Sequence, residues 1–333
     1  VAMGFRRYRL GMEWTDSLFK LVELHQRRGR VRVTEAVVHP LPPGWLRNGE
    51  IVEPDHVIQA IRDALEGKKL HTRKVRIAVG GSHVRVMRRR LPELGKRKLC
   101  KWIRDQVLAE AHLPWDDPVF DCYRVGHVWE DGGEQDAVIV TASRRTVSAL
   151  ASLAEWGGLE PVGLEPAPLG LARWLSYALP EVFSNRMTVQ VSPRSVEVNF
   201  FEGEIWLDTR SISLSMEPFV EGERLRDPPG APLLKEEEEV RRYGEALSVA
   251  LREVLASFRE RAGWLPKEWV LTGEGVDFTL LRDRLKPEEG VSVTISPFPG
   301  ELLAEGLRER IPPSLGPSLS VPIGLWLDGG MSV

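Results

Sequence analysis

Residues 10–24, LGMEWTDSLFKLVEL, read as a strand, a short polar turn and a returning strand. Leu10, Met12 and Trp14 share one face of the first strand, and Phe19 to Leu24 supply the β-rich return. The same layout opens the second half of the chain. In NRMTVQVSPRSVEVNFFEGEIWLDTRSISL, Val189 and Val191 alternate against Val196, Val198 and Phe200, and a turn follows at Glu202–Gly203. A repeated hairpin opening is the mark of a two-lobed molecule. The chain's 333 residues are enough to give each lobe a core.

The segments after each hairpin are α/β in character. RVRVTEAVVHPLPPG alternates as a strand and stops at a Pro-Pro-Gly corner. Pro54 then opens a helix with Val57, Ile58, Ile61 and Leu65 at helical spacing and Gly67 as its stop. KVRIAVGGSHVRVMRRRLP gives two strands around Gly80–Gly81, and GKRKLCKWIRDQVLAEAHLP a helix. DPVFDCYRVGHVW and AVIVTAS form a hairpin about EDGGEQD. RRTVSALASLAEWGGLEP is a helix closed by Gly157–Gly158, and PVGLEPAPLGLARWLSYAL a strand and a helix. After the loop DPPGAP comes a long helix whose Glu run suits its N-terminus and reads as a solvated face. EWVLTGEGVDFTLLRDRL is a buried strand, a glycine turn and a helix, and PSLSVPIGLWLDGG is an apolar segment that packs back on the first lobe.

Bulk properties exclude several classes. A net charge of −3 favours no nucleic-acid partner. Two cysteines, Cys100 and Cys122, exclude a disulfide scaffold and a cysteine-rich zinc site, suit a reducing cytoplasm, and read as buried small hydrophobes. No apolar run approaches the ~20 residues that span a bilayer, and VAMGFRRYRL lacks the apolar core of a signal peptide. The seven histidines show no metal-ligand spacing, and there is no nucleophile elbow or Cys-His motif. Tryptophans such as Trp14, Trp45, Trp102, Trp115 and Trp129 read as core or interface residues.

The segments KLVEL, PLPPG, GEIVEPDHV, RIAVGGSHVRVMRRRLP, WIRDQVLAEAHLPWD, ASLAEWGGLEPVGLEPAPLGLAR and VLTGEG run in order along the chain. As an ordered set they resemble the PilM family, actin-like proteins of type IV pilus assembly that are themselves similar to the division protein FtsA. The resemblance implies an α/β, two-lobed actin-like ATPase (ribonuclease H-like) fold with a small α/β subdomain inserted in the first lobe. The expected parts are a first lobe of residues 1–73, 159–184 and 318–333, an insertion over 74–158, and a second lobe over 185–317.

The family's nucleotide elements are altered here. Its first phosphate loop, G-L-D-I-G-S-S-S-V-K, lies without gaps on Gly11 to Lys20. The metal-coordinating Asp becomes Glu13, the loop Gly becomes Thr15, and Leu18 takes a hydroxyl position; Ser17 and Lys20 remain. Thr15 adds a Cβ where backbone approaches phosphate, and Asp16 adds a like charge, costing several kcal/mol at about 4 Å in a partly shielded site. The second loop reads VQVSPRS, where Pro193 removes a donor and Arg194 is either an anion contact or an ordinary exposed turn residue. The connecting strand carries Gly163 in place of an Asp. The adenosine-side turn survives as Gly273 and Gly275, which would still admit an adenine ring, though such turns are common. No metal site is expected, and ATP with Mg²⁺ is expected to bind poorly if at all.

Arg85, Arg88, Arg89, Arg90, Lys96, Arg97, Lys98, Lys101 and Arg104 crowd the start of the insertion. They are either a solvated surface or a contact for anionic lipid or an acidic partner, at ~1 kcal/mol per residue near a charged membrane. The resemblance implies a non-enzymatic cytoplasmic adaptor at the inner face of the cell membrane. It would bind the cytoplasmic N-terminus of a PilN-like bitopic protein between the first lobe and its insertion, beside GEIVEPDHV and RIAVGGSHV, in a pilus, competence or secretion platform. The related secretion protein GspL fuses a similar domain to its own transmembrane helix; none is seen here before Val333, so the membrane link is expected through a partner. The alternative is an ATP-binding switch or slow ATPase of the same machinery. An FtsA-like filament is disfavoured because GLWLDGGMSV is too short and Gly-rich for an amphipathic membrane helix.

Overall fold

The computed structural model describes residues 7–28, 30–47, 49–80, 83–125, 134–180, 185–222 and 231–327. Gly81, His127, Trp129, most of the EDGGEQD turn, residues 227–230 of the DPPGAP loop and residues 328–333 lie outside these.

The first hairpin is β1 (Arg7–Trp14) and β2 (Leu18–Arg27), extended by β3 (Arg30–Pro40). A short ladder of β4 (Leu46–Arg47) and β5 (Glu50–Ile51) leads to α1 (Pro54–Leu65) and β6 (Lys74–Val79). Then come β7 (Val84–Pro92), α2 (Lys96–Trp102), β8 (Pro118–Arg124), β9 (Glu134–Ser143), α3 (Arg144–Trp156), β10 (Glu160–Pro166) and α4 (Ala167–Ala178). The second half holds β11 (Arg186–Val191), β12 (Val196–Glu202), β13 (Ile205–Ile212), α5 (Glu237–Ala262), β14 (Glu268–Gly273), α6 (Phe278–Arg284) and β15 (Ser292–Ile295). It ends with α7 (Glu305–Arg308) and α8 (Ser320–Gly324).

The two hairpins seed two sheets of one topology. The first runs β3–β2–β1–β6–β10 and the second β13–β12–β11–β14–β15. In each, the first three strands are antiparallel and the last two run parallel to the central strand, as crossover helices require. The hydrophobic alternation sets the register: Val189 faces Val198 and Val191 faces Val196, all fully buried. A third sheet, β7–β9–β8, carries on one face α2, through Leu99, and the turn that continues it, through Ile103 and Val107.

Three expectations are corrected. The insertion does not span 74–158. β6 pairs parallel with β1, and Leu150, Leu153 and Ala154 of α3 sit in the core with Ile61 and Ile77, so the inserted sheet runs from β7 to β9. The second lobe does not extend to 317. Val33 of β3 donates to the Leu302 carbonyl, and Leu303, Leu307, Ile311 and Leu315 pack with Val22 and Leu24. The helix expected over the insertion's basic stretch is α-helical only in α2 and continues as a π-helical turn, Ile103–Leu108.

The end of the chain is a wedge. α8 packs against α4 and β1 where glycines allow backbone contact. A Cβ on Gly11 would meet the Pro322 carbonyl, and one on Gly324 the Gly170 carbonyl. Trp326 donates from Nε1 to the Leu10 carbonyl at 2.6 Å, and the Arg9 and Arg76 guanidinium groups lie over its ring at 4.9 and 4.0 Å.

Candidate functional site: the interlobe cleft and the insertion groove

The β1–β2 turn folds back on itself because the Thr15 hydroxyl accepts from the Leu18 backbone N–H at 3.1 Å. The turn thus points at the second lobe, where β14 ends in Thr272–Gly273–Glu274–Gly275. Glu274 reaches back across the cleft. Its Oε1 accepts from the hydroxyls of Thr15 and Ser17, and its Oε2 lies 3.2 Å from Lys20 Nζ. Lys20 also pairs with Glu13 at 2.7 Å, and Gln190 of β11 donates to Glu13 at 3.1 Å. All three charged groups are buried. Burial alone would lower the Lys20 ammonium, but Glu13 and Glu274 outweigh it and its pKa rises. Burial pushes the Glu13 carboxyl up against the pull of Lys20.

Four of the expected nucleotide residues, Glu13, Thr15, Ser17 and Lys20, thus meet around one carboxylate that sequence reasoning missed. Glu274 stands inside the glycine turn, and only its reach to residues some 260 positions away gives it a role. Asp16 turns aside to accept from the Gly49 backbone N–H at 3.0 Å. Gly273 and Gly275 have φ values of 107° and 90°. A Cβ on Gly273 would meet the Val191 backbone, and one on Gly275 would meet Met216 and Pro193, so both turn positions require glycine. Arg194 is partly exposed and Pro193 gives its carbonyl to Met216 N–H. Gly163 lies in β10 away from the cleft.

Among the described residues a cavity of about 80 Å³ opens in the cleft, walled in part by Glu13, Asp16 and Glu197. Small-molecule sites run to several hundred Å³, and three carboxylates repel a polyphosphate. The Thr15, Ser17 and Lys20 donors on the first hairpin are engaged by Glu274. Among the described residues no cluster of His, Cys, Asp and Glu suits a metal ion.

A larger groove of about 350 Å³ opens where the insertion meets the first lobe. β8 and β10 are each the outer strand of their sheet, and both line it. Val79, Phe120, Val140, Val162 and Leu164 make the walls apolar, with Arg76, Asp121 and Glu165 as polar groups. Val162 is 46% exposed, which is high for a strand valine. Burial pushes the Tyr123 phenol up, and burial followed by Asp121 raises the Cys122 thiol. Cys122 and Cys100 are only partly buried, a correction to their reading as core residues. Arg76 and Val79 place RIAV in the groove as expected, but GEIVEPDHV lies elsewhere, with Gly49 at the cleft. Nothing in the sequence marked Phe120, Tyr123 or Val162 except their β alternation.

The basic cluster divides. Arg88 bridges Asp136 at 3.0 Å and Glu202 of the second lobe at 2.7 Å, and Arg90 lies 3.8 Å from Asp136. Arg89 donates to the Arg88 carbonyl. Lys96, Arg97, Lys98 and Lys101 are exposed on α2.

Two lobes of one topology facing across a cleft, with a subdomain inserted into the first, define the actin-like class. The structure shares that fold with the PilM–PilN type IV pilus biogenesis complex (TM-score 0.72, 24% identity, 95% of this chain and 97% of that one). It also resembles the ethanolamine utilization protein EutJ from Carboxydothermus hydrogenoformans (TM-score 0.53, 13% identity, 97% and 90%). The chain belongs to the PilM family: the family model described as type IV pilus assembly protein PilM matches residues 11–200. A sequence search of curated proteins gave no match. Among the described residues no helix is long and apolar enough to cross a membrane.

Proposed function

We propose that this chain is a non-enzymatic adaptor of a type IV pilus, competence or secretion platform, working at the cytoplasmic face of the inner membrane. Its groove between first lobe and insertion takes the cytoplasmic N-terminal segment of a PilN-like bitopic membrane protein. The observation that carries this reading is the pair of unpaired strand edges, β8 and β10, facing one apolar groove. An extended peptide satisfies its backbone on such an edge, while pockets between the strands take alternate side chains. The likeness in fold to a PilM–PilN complex supports the choice of partner. The adaptor acts without nucleotide: Glu274 already uses the Thr15, Ser17 and Lys20 donors that a phosphate would need.

Titration calorimetry with the N-terminal peptide of the neighbouring PilN-like gene product tests the reading. We expect saturable binding that Val162→Asp weakens by at least about tenfold, because an unpaired carboxylate is then buried against the peptide. Absence of heat at high peptide concentration, or binding untouched by Val162→Asp, overturns it. Equilibrium dialysis with labelled ATP tests the nucleotide-free part. Micromolar Mg²⁺-dependent binding that Glu13→Ala abolishes would put the ATP-switch reading in front.

A further inference from the structure

Between residues 85 and 104 the chain holds nine basic residues and one acidic residue, Glu93. The fold uses some of these cations internally. Arg88 ties the insertion to Glu202, and Arg85 and Arg104 lie over the rings of Trp115 and Phe120 at 5.9 Å each. Lys96, Arg97, Lys98 and Lys101 are different. They are exposed, and among the described residues none forms an ion pair.

Some helix cations elsewhere in the chain are neutralised by acidic neighbours. On α5, Arg241 pairs with Glu238 and Glu245, and Arg242 reaches Glu221. On α2 no acidic residue stands in the first turn, and Lys96, Arg97 and Lys98 occupy it, against the helix dipole. Stability alone would not choose this arrangement. Leu99 of α2, with Ile103 and Val107 of the π-helical turn that continues it, takes the inward face, and the four cations are exposed.

We propose that this face of α2 binds the headgroups of an anionic phospholipid surface. A protein partner fits it poorly. Stable protein interfaces need a desolvated apolar centre and are depleted in lysine, and none of the exposed large hydrophobic residues lies on α2. A headgroup layer needs only unpaired cations within reach, each adding about fivefold to the partition. Position agrees. Phe120 belongs both to the groove wall and to the cluster that packs under α2, so the basic face and the groove share one subdomain. The orientation part of the proposal rests on the adaptor reading. A peptide seated in the groove and continuing into a membrane span brings this subdomain to the bilayer.

The test is flotation of the purified full chain with phosphatidylcholine vesicles, with and without a minority of phosphatidylglycerol, at rising salt. Binding is expected only to the anionic vesicles and is lost at high salt, within the reach of Debye screening. The triple variant Lys96→Glu/Lys98→Glu/Lys101→Glu is expected to lose at least about tenfold in partition. It should keep its thermal midpoint and its peptide affinity, because all three side chains are exposed outside the groove. Equal binding to both vesicle types, no binding to either, or an unaffected triple variant overturns the proposal and leaves the peptide site standing. Loss of peptide binding in the unmodified chain with vesicle binding intact overturns the adaptor reading alone.

Discussion

Lys20 is fully buried between Glu13 and Glu274, and its replacement should show which way this cluster responds to protons. In the parent protein its pKa is raised, so its contribution is complete below its unfolded value and lost only as alkaline pH passes the folded one. In Lys20→Met the main influence that lowers Glu13 disappears, while burial and Glu274 remain. The folded-state pKa of Glu13 then stands further above its unfolded value. The folded chain holds a proton that the unfolded chain releases, and stability falls as pH rises between the two values. We expect a loss of about 3–5 kcal/mol at neutral pH, the cost of leaving buried charge unpaired, with partial recovery as pH falls toward the carboxylate range. Urea unfolding at the two conditions decides it; an equal loss at both rejects the assignment.

Glu274→Gly is the complementary change. It frees two hydroxyls in the place of one carboxylate and leaves the Lys20 ammonium with Glu13 as its carboxylate partner. Inorganic phosphate should therefore raise the thermal midpoint of the variant and leave that of the parent unmoved. No phosphate response in the folded variant would mean that the carboxylate is not what closes the site. Glu13, Thr15 and Asp16 were readable as departures from the family loop, and Ser17 and Lys20 as its survivors, because the loop is contiguous. Glu274 was not, because its partners are set by how one lobe meets the other.

At the scale of elements, the Glu run at the start of α5 illustrates what pattern reading misses. A run of glutamates reads as solvated surface, and Glu237 and Glu238 bear that out. Glu239 is fully buried and accepts from the backbone N–H groups of Glu221, Lys235 and Glu236, while Glu236 completes a capping box. Glu239→Ala should therefore cost about 2 kcal/mol, at the upper end for a lost cap, whereas Glu238→Ala should cost a few tenths at most, as exposed pairs do. Chemical denaturation of the two variants separates them. Strand identities were legible from alternation, and helix ends from glycine. Sheet membership was not: β6 looks like the first strand of the insertion because it leads straight into it, yet its partner is β1. Boundaries drawn along the chain follow sequence order, while lobes are made by pairing across it.

At the scale of the whole molecule, two similar five-stranded sheets are joined by several contacts between the lobes. Glu274 joins the lobes at the first hairpin, and Arg88 joins the insertion to Glu202. At the back of the cleft Thr272 donates to the Pro317 carbonyl, and Trp174 donates to Ser296, whose hydroxyl meets that of Ser320. In an actin-like clamp driven by nucleotide, the ligand supplies the bond across the cleft and its loss lets the lobes part. Here the chain supplies that bond, so Mg²⁺ and ATP should leave the solution scattering profile of the parent unchanged. Cutting three ties between the lobes in Glu274→Gly/Arg88→Ser/Gln190→Ala should raise the radius of gyration, with the rear ties acting as hinge. Peptide affinity should survive, because the groove walls come from the first lobe and its insertion alone. A parent profile that contracts on adding nucleotide would show that the lobes are still governed from outside, whereas a triple variant with an unchanged radius would place the closure in the rear contacts instead.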